Sequence, residues 1–183
     1  IKLQQKEFFA TRNPAIANAE TADAREKLIR RLANDPEGKV LFAEWSAELR
    51  KAEGEVAFVR SSGRYPRTRA GDVNTYALFA EHNDRIVTAE GYVSCVLPTG
   101  IATDDSTKVF FGSLVREDRL VSVFGFENEG KIFPKVHHAF KFALFSYRGA
   151  AAPRATPRFI FYARGIEELD DPERCFTLSA QDL

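Results

Sequence analysis

Three short apolar runs in the middle of the chain are separated by charged segments and by segments that contain glycine or proline. The runs span residues 92–97, 120–126 and 140–147, and they are rich in β-branched and aromatic side chains. Runs of this length and composition predict buried β-strands. A further run with alternating apolar positions, residues 158–164, predicts one more strand.

A helical pattern lies between the first two predicted strands. Over residues 104–117 the apolar side chains recur at helical spacing, and they are Phe110, Phe111, Leu114 and Val115. Strand, helix and strand in succession predict a crossover between parallel strands. The connection over residues 127–139 is too short for another helix and crossover, so we expect the third strand to run antiparallel to the second. The pattern indicates the α/β class.

The first third of the chain has helical periodicity. Residues 21–33 and 39–60 carry apolar positions on one face and charges on the other, which predicts two amphipathic helices. A loop rich in Gly, Pro and Ser then leads to a predicted helix at residues 73–82, in which we expect Phe79 to face inward with its apolar neighbours.

These patterns divide the chain into three segments. Residues 1–60 form a helical segment, residues 61–147 carry the main part of the sheet, and residues 148–183 hold a linker, the extra strand and the start of a next segment. In the last segment, Ser179 precedes what the sequence predicts to be the first turn of another helix.

Composition supports a packed domain and changes what can be expected of its partners. Of the 183 residues, 44% are hydrophobic and 16 are Phe, which is ample for a core. Lys and Arg number 26 and so do Asp and Glu, so the net charge is zero and any contact with nucleic acid must rest on local patches. Cys95 lies inside a predicted strand, where we expect a buried, unreactive thiol.

Several classes of protein are disfavoured by what the sequence does not contain. No apolar run is long enough to cross a membrane and no secretory signal opens the sequence, so we expect a cytoplasmic protein with no membrane partner. There is no phosphate-binding loop, GxGxxG or Cys/His zinc spacing, and we expect no metal site. Because the sequence starts at Ile1 and contains no Met, we expect it to be a piece of a longer polypeptide.

An ordered series of motifs runs through the predicted sheet: GYVSCVLPTGIATDDSTKVFFGSLV, then LVSVFGFENEGKIFP, VH and FKFALF. The series resembles the C-terminal half of adenine-N6 DNA methyltransferase domains, in particular those fused into large type II (IIG-like) restriction–modification enzymes. With GDVNTYALFAEH upstream, the likeness covers roughly residues 60–147. It implies a bacterial enzyme with a partial Rossmann-like sheet, N-terminal helices and a closing antiparallel hairpin. It also implies methyl transfer from S-adenosylmethionine to a flipped adenine in double-stranded DNA.

The resemblance also implies that the catalytic machinery lies outside these residues. In the family a Gly-rich turn supplies much of the cofactor pocket, and an Asn-Pro-Pro-aromatic turn grips the adenine. Neither turn is present, and the near-match at residues 13–16 lacks the second Pro and the aromatic side chain. We therefore expect no catalytic residue here, cofactor binding by the parent protein, and no activity of this piece alone. Its expected partners are double-stranded DNA and the remaining domains of the parent polypeptide.

A turn between the second and third predicted strands matches the family segment beside the flipped base. The resemblance implies that Pro134, His137 and Phe140 line the base pocket, where an imidazole or aromatic ring can stack on adenine or bind it. A simpler interpretation stays open. In it Phe133 and Phe140 belong to the core and the histidines are exposed turn residues.

A basic stretch precedes the helix predicted at residues 73–82. Arg60, Arg64, Arg67 and Arg69 occur there without interleaved acidic residues, which favours contact with DNA phosphates. An ordinary solvated basic loop is the alternative. A second hypothesis for the whole chain is a non-catalytic α/β module that mediates protein contacts in a larger assembly, which the zero net charge favours.

Overall fold

The structure is a computed structural model that describes residues 1–179 and residue 182. The chain divides into two compact units, Ile1–Ser62 and Gly63–Leu183. The first unit is helical. Its helices are α1 (Gln5–Phe9), α2 (Pro14–Ala17), α3 (Ala22–Leu32) and α4 (Lys39–Ser61).

Local sequence signals and an aromatic cluster explain the first unit. The Thr21 hydroxyl accepts a hydrogen bond of 3.1 Å from the Ala24 amide, which caps α3 as Thr does at helix starts. Phe8, Phe9 and Trp45 are buried together, with the two Phe rings 5.1 and 5.3 Å from the Trp45 ring. The predicted helices of this segment are confirmed to within one or two residues at their ends.

The second unit contains the sheet. In chain order its elements are α5 (Thr75–Ile86), β1 (Tyr92–Pro98), α6 (Gly100–Thr103), α7 (Lys108–Arg116), β2 (Leu120–Glu127), β3 (Lys141–Arg148), β4 (Arg158–Ala163) and β5 (Phe176–Thr177). Single 3₁₀ turns at Asp105–Thr107, Asn128–Gly130 and Ile166–Asp170 connect some of them.

The five strands form one mixed sheet in the order β1-β3-β2-β4-β5. Strand β3 is antiparallel to both β1 and β2, and β4 is parallel to β2, so β1, β2 and β4 share one direction. The α/β class, the strand–helix–strand succession and the antiparallel third strand are confirmed. The position of β3 between β1 and β2 was not predicted. It places the carboxyl ends of β1 and β2 beside the amino end of β3, where Pro98 and Phe126 both pair with Phe142.

The main core lies on one face of the sheet, under the helices. Phe110 and Leu114 of α7 and Phe145 and Tyr147 of β3 are fully buried there. The Tyr147 hydroxyl donates a hydrogen bond of 2.7 Å to the Ala80 carbonyl of α5, and burial raises the pKa of Tyr147. This bond ties α5 to β3, an interior strand of the sheet.

The structure corrects two expectations, and a third concerns residues that the structure does not describe. Phe79 is 63% exposed instead of facing inward, because Ala77, Leu78 and Ala80 supply the buried face of α5. Cys95 is only partly buried. The helix predicted after Ser179 falls on residues 180, 181 and 183, which lie outside the described residues. Among the described helices, none combines the length and apolar character that crossing a membrane requires.

Candidate functional site

The connection between β2 and β3 is organised by one buried side chain. Asn128 has no exposed surface. Its side-chain NH₂ donates to the carbonyls of Phe133 (3.0 Å) and Val136 (2.8 Å), and its oxygen accepts from the Phe133 amide (2.9 Å). The Asn128 backbone amide donates to the Phe140 carbonyl at 3.0 Å. A single residue therefore holds both the beginning and the end of the turn.

The side chains predicted for a base pocket project from this turn into solvent. Pro134, His137 and Phe140 are all exposed, and Phe140 is 63% exposed. The His137 and His138 rings lie 4.4 Å apart. Phe133 is 40% exposed and packs edge-on against Phe142, with ring centroids 4.9 Å apart. The turn thus combines a fixed backbone with accessible aromatic and imidazole groups.

Hydrogen bonds orient the two imidazoles. His137 Nδ1 accepts from the Ala139 amide at 3.2 Å, which leaves its Nε2 facing away from that bond. His138 Nδ1 donates to Glu129 Oε1 at 2.7 Å. The hydrogen bond and then the charge of His138 hold the pKa of Glu129 below its usual range. His137 is therefore the imidazole of the pair that makes no bond to an acidic side chain here.

A cavity of about 230 Å³ lies at the same edge of the sheet as the turn. It is formed by the carboxyl ends of β1, β2 and β4, by the start of β3 and by α6, and its lining includes Thr99, Thr103, Gly125, Lys141, Phe161 and Tyr162. Lys141 directly follows Phe140, so the turn and the cavity are adjacent. Crevices at the carboxyl ends of strands are where open α/β sheets bind ligands.

Tyr162 has an unusual backbone for an aromatic residue beside this cavity. Its φ is 59°, in the left-handed region, where the pairing register between β2 and β4 shifts. Such a conformation costs on the order of 1–3 kcal/mol and concentrates at functional sites. The ring is 60% exposed and lies 4.7 Å from the Lys141 ammonium, a cation–π distance. The alternation of apolar residues in the sequence did not predict this register shift between β2 and β4.

Arg67, one of the four predicted DNA contacts, forms hydrogen bonds and ion pairs with residues of the second unit. Its backbone amide and Nε donate to Glu81 at 3.2 and 3.3 Å, and its other nitrogens bind Asp84 and the Ser113 hydroxyl. Burial alone would lower the pKa of Arg67, but hydrogen bonds and charges of Asp84 and Glu81 outweigh it and raise the pKa. A guanidinium held by two carboxylates stabilises the fold.

The other three arginines of the basic stretch are exposed. Arg60 belongs to the first unit, at the end of α4, and Arg64 and Arg69 belong to the loop that opens the second unit. The Arg64 carbonyl accepts from Arg85 at 2.7 Å, which fixes part of that loop. These three side chains remain the candidates for phosphate contact.

The described geometry defines an α/β sheet with a hydrogen-bonded turn that carries aromatic and imidazole groups, beside a small cavity at the carboxyl edge of the sheet. Among the residues that the structure describes, no three His, Cys, Asp or Glu side chains gather into a metal-binding group. No protein-family model matches the chain, and no curated protein matches it either. A function for this chain therefore has to be inferred from the residues of the turn and the cavity.

Proposed function

We propose that this chain is part of an adenine-specific DNA methyltransferase of a type II restriction–modification system, contributing the C-terminal half of a Rossmann-like sheet. The observation that carries the proposal is the turn fixed by Asn128, which presents His137 and Phe140 at the carboxyl edge of the sheet. A base taken out of a duplex needs a surface for stacking and polar groups for its edge. This turn supplies both.

The role of each residue follows from its exposure and bonding. Phe140, exposed and one residue before β3, offers a ring face on which adenine stacks. His137 offers Nε2 to the edge of the base, because its Nδ1 is occupied by the Ala139 amide. Pro134 limits the conformations of the turn. The residues Lys141 and Tyr162 extend the same surface with a cation and a second aromatic ring.

The methyl donor in this proposal is S-adenosylmethionine, held mainly by parts of the parent protein. The residues of this chain do not fit it as a main binding site, since they include neither a Gly-rich turn nor an Asn-Pro-Pro-aromatic turn. No catalytic step is assigned to them. Their proposed task is to hold the flipped adenine, while Arg60, Arg64 and Arg69 contact phosphates.

The exposed edge of β1 supports a sheet that continues in the parent polypeptide. Strand β1 stands at the end of the described strand order, so only its β3 side is paired. Its sequence YVSCVLP has no charged residue to discourage pairing at the free edge. Tyr92 and Val96 on its outer face are 57% and 53% exposed. A further strand and a covering layer would remove this unprotected apolar edge from water.

A binding assay tests the proposed base pocket. The probe is a fluorescein-labelled duplex with one adenine opposite an abasic site, compared with the fully paired duplex by anisotropy. We expect tighter binding of the extrahelical adenine and a loss of roughly 5- to 150-fold in the Phe140→Ala variant, because stacking on one base is worth about 1–3 kcal/mol. Phe79→Ala, which removes an equally exposed ring from α5, is the matched control.

Equal affinity for both duplexes, or an equal loss in both variants, would refute the base-pocket assignment. Methyl transfer to DNA is expected to be absent for this chain alone. Incorporation of label from S-adenosylmethionine by the isolated chain would contradict the statement that its catalytic turns lie elsewhere.

A non-catalytic protein-interaction module is the second candidate. The zero net charge and the unpaired, uncharged edge of β1 favour it, since an extended segment of another protein can pair with such an edge. It predicts no preference for extrahelical adenine and no effect of Phe140→Ala. The same anisotropy experiment therefore separates the two candidates.

A further inference from the structure

A second, larger concavity lies within the first unit and is unrelated to the base-pocket turn. It is a groove of about 1010 Å³ between the N-terminal segment, α3 and α4. One wall is a stripe of α4 side chains spaced by three and four residues, Phe42, Trp45, Leu49, Ala52 and Val56. This spacing places them along one face of the helix. Ile29 of α3 adds to the apolar surface.

The stripe has the length and character of a helix-binding surface. From Phe42 to Val56 it covers about 21 Å of helix, at about 1.5 Å per residue. Trp45 is buried, whereas the other stripe residues are half-buried, so the packing of α4 is incomplete along this face. Amphipathic helices bind grooves of this kind through apolar side chains at the same three- and four-residue spacing.

Arg25 adds a buried positive charge to the lining of the groove. The residue is only 6% exposed and it lines the groove. Its Nη2 donates to the Ala19 carbonyl at 3.2 Å, but its buried Nε has no hydrogen-bond partner among the residues that the structure describes. No ion pair found within residues 1–179 and 182 includes Arg25. A buried guanidinium is costly unless an anion compensates it.

The charges around the groove point to the same chemistry. Lys2, Lys6, Arg25, Arg30 and Arg60 line it together with three acidic residues, Glu7, Glu26 and Glu53. The Arg30 guanidinium is paired with Glu26 at 2.5 Å, so that acidic residue is not available to Arg25. The groove therefore combines an apolar wall with an excess of positive charge and one buried, uncompensated cation.

We propose that this groove binds an amphipathic helix of a partner protein, and that an Asp or Glu of that helix pairs with Arg25. The apolar stripe accepts the Leu, Ile or Phe side chains of the helix, and the carboxylate compensates the charge of the Arg25 guanidinium where that residue lines the groove. A phosphodiester backbone would leave the half-buried stripe residues Phe42, Leu49 and Val56 against water, which makes nucleic acid the poorer occupant. The proposal does not depend on the methyltransferase assignment.

A peptide selection on the intact chain tests the proposal. The library consists of 16-residue helices with Leu, Ile or Phe at positions spaced by three and four, and with all other positions randomised. We expect the selected peptides to share one acidic position. Because Trp45 is the only Trp in the sequence and it lines the groove, its emission reports binding without a label.

Paired substitutions then locate the carboxylate. Replacing the shared acidic residue of the peptide by its amide should weaken binding roughly tenfold or more, as expected for a charge-assisted hydrogen bond lost from a buried site. In the Arg25→Met chain the acid and the amide peptide should bind equally weakly. Arg31→Met, which removes an exposed arginine of the same helix, should leave both affinities unchanged. The amide swap in the peptide keeps the test decisive even if Arg25→Met does not fold.

Several results would overturn the proposal. Selected helices with no acidic preference, or helices that bind Arg25→Met as tightly as the unmodified chain, would remove the role of Arg25. Quenching of Trp45 by short duplex DNA or inorganic phosphate in an Arg25-dependent manner would make the groove an anion site instead. A dimer in analytical ultracentrifugation that Arg25→Met dissociates would identify a second copy of this chain as the occupant.

Discussion

Replacing Asn128 by Ala tests whether the turn is held by one side chain. The substitution removes three hydrogen bonds, two to carbonyl oxygens and one from the Phe133 amide. Each such bond contributes about 0.5–1.5 kcal/mol net, and the side chain is fully buried, so the free energy of unfolding should fall by about 2–4 kcal/mol. Chemical denaturation followed by near-ultraviolet circular dichroism measures this loss.

Two further variants separate hydrogen bonding from side-chain volume. Asn128→Asp keeps the shape but puts a carboxylate against the carbonyls of Phe133 and Val136, so at neutral pH it should be at least as destabilising as Asn128→Ala. The carbonyls raise the folded-state pKa of that carboxyl above its unfolded value. The deficit is therefore smallest below the unfolded pKa, about 3.9, and grows as the pH rises through the folded value. Asn74→Ala, at an exposed position without a side-chain capping bond, should change stability by less than about 0.5 kcal/mol.

Two results would show that Asn128 does not hold the turn as its hydrogen bonds indicate. If Asn128→Ala changed stability no more than Asn74→Ala, water would be replacing the three bonds and the turn would not depend on this side chain. If Asn128→Asp became less stable as the pH fell, the carboxylate would be a favourable acceptor, which contradicts the placement of two carbonyls beside it. Either result would also weaken the base-pocket proposal, because that proposal requires a fixed turn.

Two further outcomes are expected in the second unit. Arg67→Met should cost about 3–5 kcal/mol, because it leaves the carboxylate of Glu81, 1% exposed, without its cation. Arg69→Met, at an exposed position of the same loop, should cost far less, and similar unfolding free energies for both would contradict the network. Burial, with a smaller contribution from Asp104, raises the pKa of Tyr76 to about 12. The stability that the neutral phenol contributes is complete below pH 10 and is lost as the pH rises toward 12. A spectrophotometric titration should show one fewer late-ionising tyrosine in Tyr76→Phe than in the unmodified chain. An unchanged number would contradict the raised pKa of Tyr76.

Sequence patterns located the strands and helices well but not their order in space. Apolar runs mark β1, β2 and β3 because each strand buries one face, and periodicity within a strand is a local property. The insertion of β3 between β1 and β2 depends on pairs such as Cys95 with Phe145, which are far apart in the chain. Phe79 was misplaced because the four consecutive apolar residues 77–80 of α5 cannot all face one side of a helix.

The candidate site was only partly visible in the sequence for a related reason. Arg67 resembled its neighbours in the basic stretch, and its acidic partners are supplied by α5. A signal did exist, since Glu81 and Asp84 are three residues apart on a helix and adjoin the buried Ala80. Acidic groups on the buried side of a helix require a cation. Tyr162 gave no comparable signal, because its left-handed backbone arises from a register shift between two strands.

The exposure of the side chains in the turn bears on both of its interpretations. The simpler interpretation placed Phe133 and Phe140 in the core, yet they are 40% and 63% exposed. It also expected exposed histidines, and His137 and His138 are exposed. The buried residue of the turn is Asn128, whose side-chain amide forms hydrogen bonds with the turn's own backbone. A turn whose backbone is held by internal hydrogen bonds and whose aromatic ring and imidazole face water suits the proposed base pocket, because groups that are ordered before a ligand arrives lose less entropy when it binds.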